Sequence, residues 1–141
     1  MKRTVTTIAA AFIMIASFSS FAAEKANPLK NLDSKNIVLS YVAAATSGNT
    51  TLNKHLFADD FAYSNTANGD NFSKKQYSAF LKATKGLKYD CKTSYEILDE
   101  AGQTCIAKTT MKFDNFTRVD YITLSKSQDG WQVSKVLTTY P

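Results

Sequence analysis

From Asp33 onward, apolar residues recur with two different periods, and the switch between them divides the chain. Ile37, Val38, Tyr41, Val42 and Ala45 repeat along one helical face, and Ser47-Gly48-Asn49 stops the run. A second, shorter helix is predicted over about Thr51 to Phe57, with Leu52, Leu56 and Phe57 turned inward. Phe61 and Tyr63 mark a short strand, and Ser64 to Asn71 reads as a polar loop. The third helix has the clearest start in the chain. Ser73 and Gln76 stand at capping-box spacing, with Phe72 and Tyr77 at the two staple positions around it. Tyr77, Phe80 and Leu81 form its apolar stripe, and Gly86 ends it.

Beyond Gly86 the period drops to two. Leu87, Tyr89, Cys91, Thr93, Tyr95 and Ile97 form one strand face, and Cys105, Ala107, Thr109, Met111 and Phe113 form the next. A three-residue loop, Glu100-Ala101-Gly102, joins them. Two further strands, Arg118 to Lys126 and Trp131 to Tyr140, flank Asp129-Gly130, a strong hairpin signal. If that dipeptide is a two-residue turn, Ile122 faces Leu137 and Leu124 faces Lys135. Asp120, Ile122, Leu124, Trp131, Val133, Lys135 and Leu137 then share the dry face, while Thr123, Val136, Thr138 and Tyr140 point outward. Three helices against one face of a bent antiparallel sheet define an α+β domain, cone-shaped, with an internal pocket at its mouth.

The first residues stand outside this domain. Lys2 and Arg3, the apolar run Ile8 to Phe18 and the small residues of Ser20-Phe21-Ala22 read as a secretory signal peptide over 1–22. Residues 23–31, polar and containing Pro28, read as a disordered tail, and the domain as 32–141. The expected location is periplasmic or secreted, with no membrane association after cleavage. Removing Lys2 and Arg3 leaves 15 of the 17 basic residues against 12 acidic ones, a charge of about +3. The lysines are spread evenly, so nucleic acid is not an expected partner. Export makes a disulfide between Cys91 and Cys105 worth testing against the register. That register sets Cys91 opposite Met111 and Cys105 opposite Ile97, separating the sulfurs by about 20 Å along the ladder. Two buried thiols are expected.

The order of these motifs resembles the nuclear transport factor 2-like superfamily, in particular its exported bacterial branch of lumazine-binding-like and SnoaL-like proteins. The carriers are Tyr41-Val42 with Ser47-Gly48-Asn49, then Leu56-Phe57-Ala58-Asp59-Asp60-Phe61, then the capped helix at Ser73. Tyr121-Ile122-Thr123-Leu124 and Asp129-Gly130-Trp131-Gln132-Val133 complete the set. The resemblance implies a cone-like fold, often dimeric, whose pocket serves isomerases, cyclases, dehydratases and proteins without known activity. It does not choose among these uses.

Three readings of function stay open. In the first, Tyr41, Tyr63, Tyr77, Asp120, Trp131 and Lys135 line a pocket for an unidentified small apolar or aromatic molecule, without catalysis. In the second, the domain is an isomerase-, cyclase- or dehydratase-type enzyme using Asp120 or Asp70 with Tyr41. The resemblance places the isomerase general base near Asn65, and an amide cannot take a proton at neutral pH. In the third, the domain is an interaction module whose outer sheet face builds a homodimer or docks a partner. Asp120 and Lys135 on a dry face need a polar partner or an open mouth, because a buried unpaired charge is costly. His55 is the single histidine and has no companion at ligand spacing, so no metal is expected. Asp59-Asp60 reads as the end of the second helix. Cys91 and Cys105 lack a histidine partner for nucleophilic chemistry, and no phosphate-binding glycine loop suggests a cofactor.

Overall fold

The structure, a computed structural model, describes residues 27–141. The signal peptide read over 1–22 lies outside them, as do residues 23–26. Helix α1 spans Ser34–Ser47. Its entry is held by the Asp33 carboxylate, which accepts from the Asn36 amide at 2.9 Å, and it ends at Gly48 with φ 64°. A Cβ there would also meet the backbone of Gly86 and Thr84, so glycine lets the end of α1 approach the turn after the third helix. Helix α2 is a single turn, Asn53–Leu56, and α3 spans Lys74–Ala83 behind the expected Ser73/Gln76 capping box.

The strands are β1 Phe57–Asn65, β2 Asn71–Ser73, β3 Lys92–Ala101, β4 Thr104–Lys112, β5 Thr117–Ser127 and β6 Gly130–Thr139. They form one sheet in the order β2-β1-β6-β5-β4-β3. The α+β architecture is as expected, with two refinements. The strand marked by Phe61 and Tyr63 begins already at Phe57 and pairs parallel with β6, making the sheet mixed. Asp59 and Asp60 therefore lie exposed in β1 rather than ending a helix. The alternation there is broken by a register shift between Phe57 and Ala62, which hides the strand from a period-two reading.

Bulges also correct two registers. At the last hairpin the paired ends are Ser127 and Gly130, and positive φ falls on Gly130 at 88°. A second shift between Thr123 and Leu124 changes the parity of β6 halfway along. Trp131 and Val133 point inward as expected, but so do Val136 and Thr138, both fully buried. Lys135 is turned to the exposed side. The outer face instead presents Ile106 and Tyr121, with Leu137 half-buried beside Tyr121. On the β3–β4 hairpin, Met111 faces Thr93 and Ala107 faces Ile97, and a shift past Ile97 sets Cys105 opposite Glu100. The connection is Gly102-Gln103, shorter than predicted. Cys91 precedes β3, and both thiols are free, Cys105 buried and Cys91 half-buried.

Residues 27–31, expected as disordered tail, pack on the sheet. Leu29 is buried, Asn27 donates to the Asp129 carbonyl at 3.2 Å, and a Cβ on Gly130 would strike the Lys30 carbonyl. A single apolar residue in a polar stretch carries no period, so this docking had no signal to read. The core lies between α1, α3 and the concave sheet face, with Ile37, Phe57, Met111, Ile122 and Val133 fully enclosed.

Candidate functional site

Tyr41 comes from the inward face of α1, Tyr77 from α3 and Asp120 from β5. The fold brings all three together. The Tyr41 hydroxyl donates to Asp120 Oδ2 at 2.5 Å and lies 3.3 Å from the Tyr77 hydroxyl. Asp120 is fully buried, and its carboxylate is met from two more sides. Arg118, two residues earlier on the same strand face, grips it in a bidentate pair, Nε to Oδ1 and Nη2 to Oδ2, each 2.9 Å. Thr138, directly across on β6, donates its hydroxyl to Oδ1 at 2.7 Å. Each carboxylate oxygen thus accepts two hydrogen bonds from the protein, which fills the usual capacity of the ionised group.

This cluster shapes the protonation of its members. Burial, reinforced by the Asp120 charge, pushes the Tyr41 hydroxyl well above its ordinary range, and burial likewise raises Tyr77. Burial works against the charge of Arg118, but the Asp120 carboxylate more than offsets it and holds the guanidinium protonated. Tyr63 is raised by burial as well. Burial also raises the Cys91 and Cys105 thiols, which disfavours the reactive thiolate.

Above the ion pair opens a cavity of about 380 Å³. One wall is the stack of Tyr63 on Phe72 (5.6 Å, 11° between planes), continued by Phe80, 6.1 Å from Phe72. The other is Phe113 on Phe116 (4.5 Å, 15°), with Tyr89 and Tyr140 at their edges. Arg118 and Asn65 supply inner polar groups, and Asp70 lies on the exposed rim. Asn65, at the position the isomerase resemblance gives the base, accepts from the Ala67 amide at 2.9 Å and shapes the loop. Asp70 binds Asn68 on the same loop.

Of the expected pocket residues, Tyr63 lines the cavity, while Tyr41, Tyr77 and Asp120 form its support. Trp131 and Lys135 are elsewhere. Trp131 is buried under the β5–β6 hairpin with the Lys126 ammonium 5.8 Å from its ring centre. Sequence reasoning missed Arg118 and Thr138. Arg118 had a signal, being a second charge two positions from Asp120 and so on its face. Thr138 had none, because the β6 bulge decides its side. His55 sits half-buried on α2, and its carbonyl accepts from Gln132. Among the described residues, no group of three or more His, Cys, Asp or Glu could hold a metal ion, and no helix is long and apolar enough to cross a membrane.

A conical α+β domain with this strand order has the nuclear transport factor 2-like fold, and solved structures agree. A protein of unknown function from Silicibacter pomeroyi superposes with a TM-score of 0.63 at 14% identity, covering 76% of this chain and 92% of that one. A DUF3225-family protein from Pectobacterium atrosepticum gives 0.65 at 16%, covering 77% and 88%. A nuclear transport factor 2-like protein from Cytophaga hutchinsonii gives 0.62 at 14%, covering 78% and all of that chain. Such identities speak for the fold alone. Within the class, residues 33–137 match the family described as "Putative lumazine-binding", and the chain belongs to that family. No curated protein matches it in sequence.

The cluster predicts a non-additive response. Arg118→Met leaves Asp120 charged and unpaired, and should cost about 3–5 kcal/mol in urea unfolding. Adding Asp120→Leu to that variant should recover a substantial part of the loss; a double variant less stable than the single would contradict the ion-pair account. Alkaline pH should also unfold the protein. Because Tyr41 and Tyr77 titrate higher in the folded state than their ordinary value near 10, their contribution is complete below about pH 10 and is lost as pH rises further. The limiting slope is about 1.4 kcal/mol per pH unit for each tyrosine. Urea midpoints taken between about pH 8 and about pH 11 should fall less steeply in Tyr77→Phe, and an unchanged slope would rule this out.

Proposed function

We propose that this domain binds a small, flat aromatic molecule in the Arg118 cavity and does not transform it. The observation that carries the reading is the filled state of Asp120. Its acceptor positions are all taken by Arg118, Thr138 and Tyr41, so the carboxylate has no lone pair left to accept a substrate proton, and Tyr41 has its proton committed to it. Two aromatic walls and a few inner polar groups suit recognition of a ring system, which aromatic faces grip by offset stacking. The family description supplies a first candidate, lumazine, a two-ring compound with carbonyl groups at its edge.

Titration of the protein with lumazine, followed by ligand fluorescence, should saturate. Phe116→Ala removes an exposed stacking ring and should weaken binding about five- to tenfold, or about 1 kcal/mol. No saturable binding of lumazine or of a panel of flat two-ring compounds would overturn the reading. Turnover of any bound compound would overturn its non-catalytic part.

A second reading adds to the first. Ile106 and Tyr121 are exposed on the outer sheet face beside half-buried Leu137, an apolar patch that a second copy of the chain would cover. Light scattering at high concentration should give a dimer mass that Tyr121→Lys shifts to monomer, whereas a monomeric parent would remove this reading.

A further inference from the structure

We infer that the cavity selects uncharged ligands with a carbonyl-type acceptor next to an N–H, the edge of an aromatic amide, lactam or ureide, and rejects carboxylates. This deepens the binding reading above and rests on it. The reason lies in how Arg118 is used. Its Nε and Nη2 are both aimed at Asp120, and Nη2 also lies 3.5 Å from the Thr138 hydroxyl. Among the described residues, Nη1 has no protein acceptor, and it is not among the buried atoms left without a partner. It belongs to a side chain that lines the cavity and stays 13% exposed, so Nη1 is the donor a ligand meets.

That donor is ionised, and its hydrogen bonds are correspondingly strong. Its charge, however, is already balanced. An anion placed at Nη1 would feel the Asp120 carboxylate directly behind the guanidinium. Among the described lining residues, Arg118 is the one cation, while Asp70 adds a negative charge at the rim. A carboxylate ligand would therefore give up its hydration without a net positive field to replace it. A carbonyl oxygen loses far less on leaving water and gains the same short contact. The opposite end of the preference comes from Asp70. One of its oxygens accepts from Asn68, and the other accepts from no side chain of the described residues, leaving an acceptor for a ligand N–H.

Naphthamide and naphthoate test this directly, since they share size, shape and ring system and differ in charge. Calorimetric titration of the full domain at low salt should show naphthamide binding at least about tenfold more tightly, equivalent to about 1.4 kcal/mol. Asp70→Asn, on an exposed loop, should narrow the ratio by about two- to threefold, a modest effect because the rim charge is screened by solvent. Naphthoate binding as tightly as naphthamide, or more so, overturns the inference and leaves the aromatic pocket standing. A ratio unchanged in Asp70→Asn overturns the part assigned to the rim carboxylate. Binding of neither compound sinks the inference together with the pocket reading.

Discussion

Asp120 sits on an interior strand with no accessible surface, where an unpaired carboxylate would cost several kcal/mol in lost hydration. The fold meets that cost from three elements at once. Arg118 comes from the same strand, Thr138 from the strand beside it and Tyr41 from the helix packed across the sheet. Tyr77 extends the set to α3 through the Tyr41 hydroxyl. Such a cluster tolerates little displacement of any member, because a donor that moves away leaves a buried acceptor unsatisfied. It therefore ties the helices to the sheet more specifically than apolar contact could.

The same constraint orients the cavity. With two guanidinium nitrogens locked on Asp120, the Arg118 side chain lines the space between the aromatic walls in one fixed orientation. The walls are also fixed by the fold. Tyr63 stacks on both Phe72 and Tyr77, so the ring facing the cavity rests on the ring that touches Tyr41. Ion pair, tyrosine pair and aromatic wall form one continuous support. A pocket built this way is stiff at its floor and open at its rim, where Phe80, Phe116 and Tyr140 remain partly exposed.

The carboxylate and tyrosine that sequence reasoning offered as a catalytic pair do meet, at hydrogen-bond distance. The proton and lone pairs involved are turned toward each other and not toward the cavity, and this arrangement is what the proposed non-catalytic role rests on. Proximity alone would have suggested the opposite. What separates the two interpretations is the count of acceptors filled, which needs Arg118 and Thr138 in view.

Helix α1 with its Gly48 stop, the capping box of α3, the α+β class and the inward face of Asp120, Ile122 and Leu124 were all legible along the chain. Each depends on neighbours a few residues apart, and local spacing carries that information. Only the tertiary structure decided that Lys135 faces outward and Thr138 inward, because one extra residue in β6 reverses the parity of everything after it. It alone joined β1 to β6 in parallel, docked residues 27–31 on the last hairpin and turned Arg118 from a strand residue into the floor of a pocket. These outcomes rest on contacts between residues far apart in sequence, where periodicity is silent. The charge at Asp120 was readable from one strand; the partners that make it bearable were not.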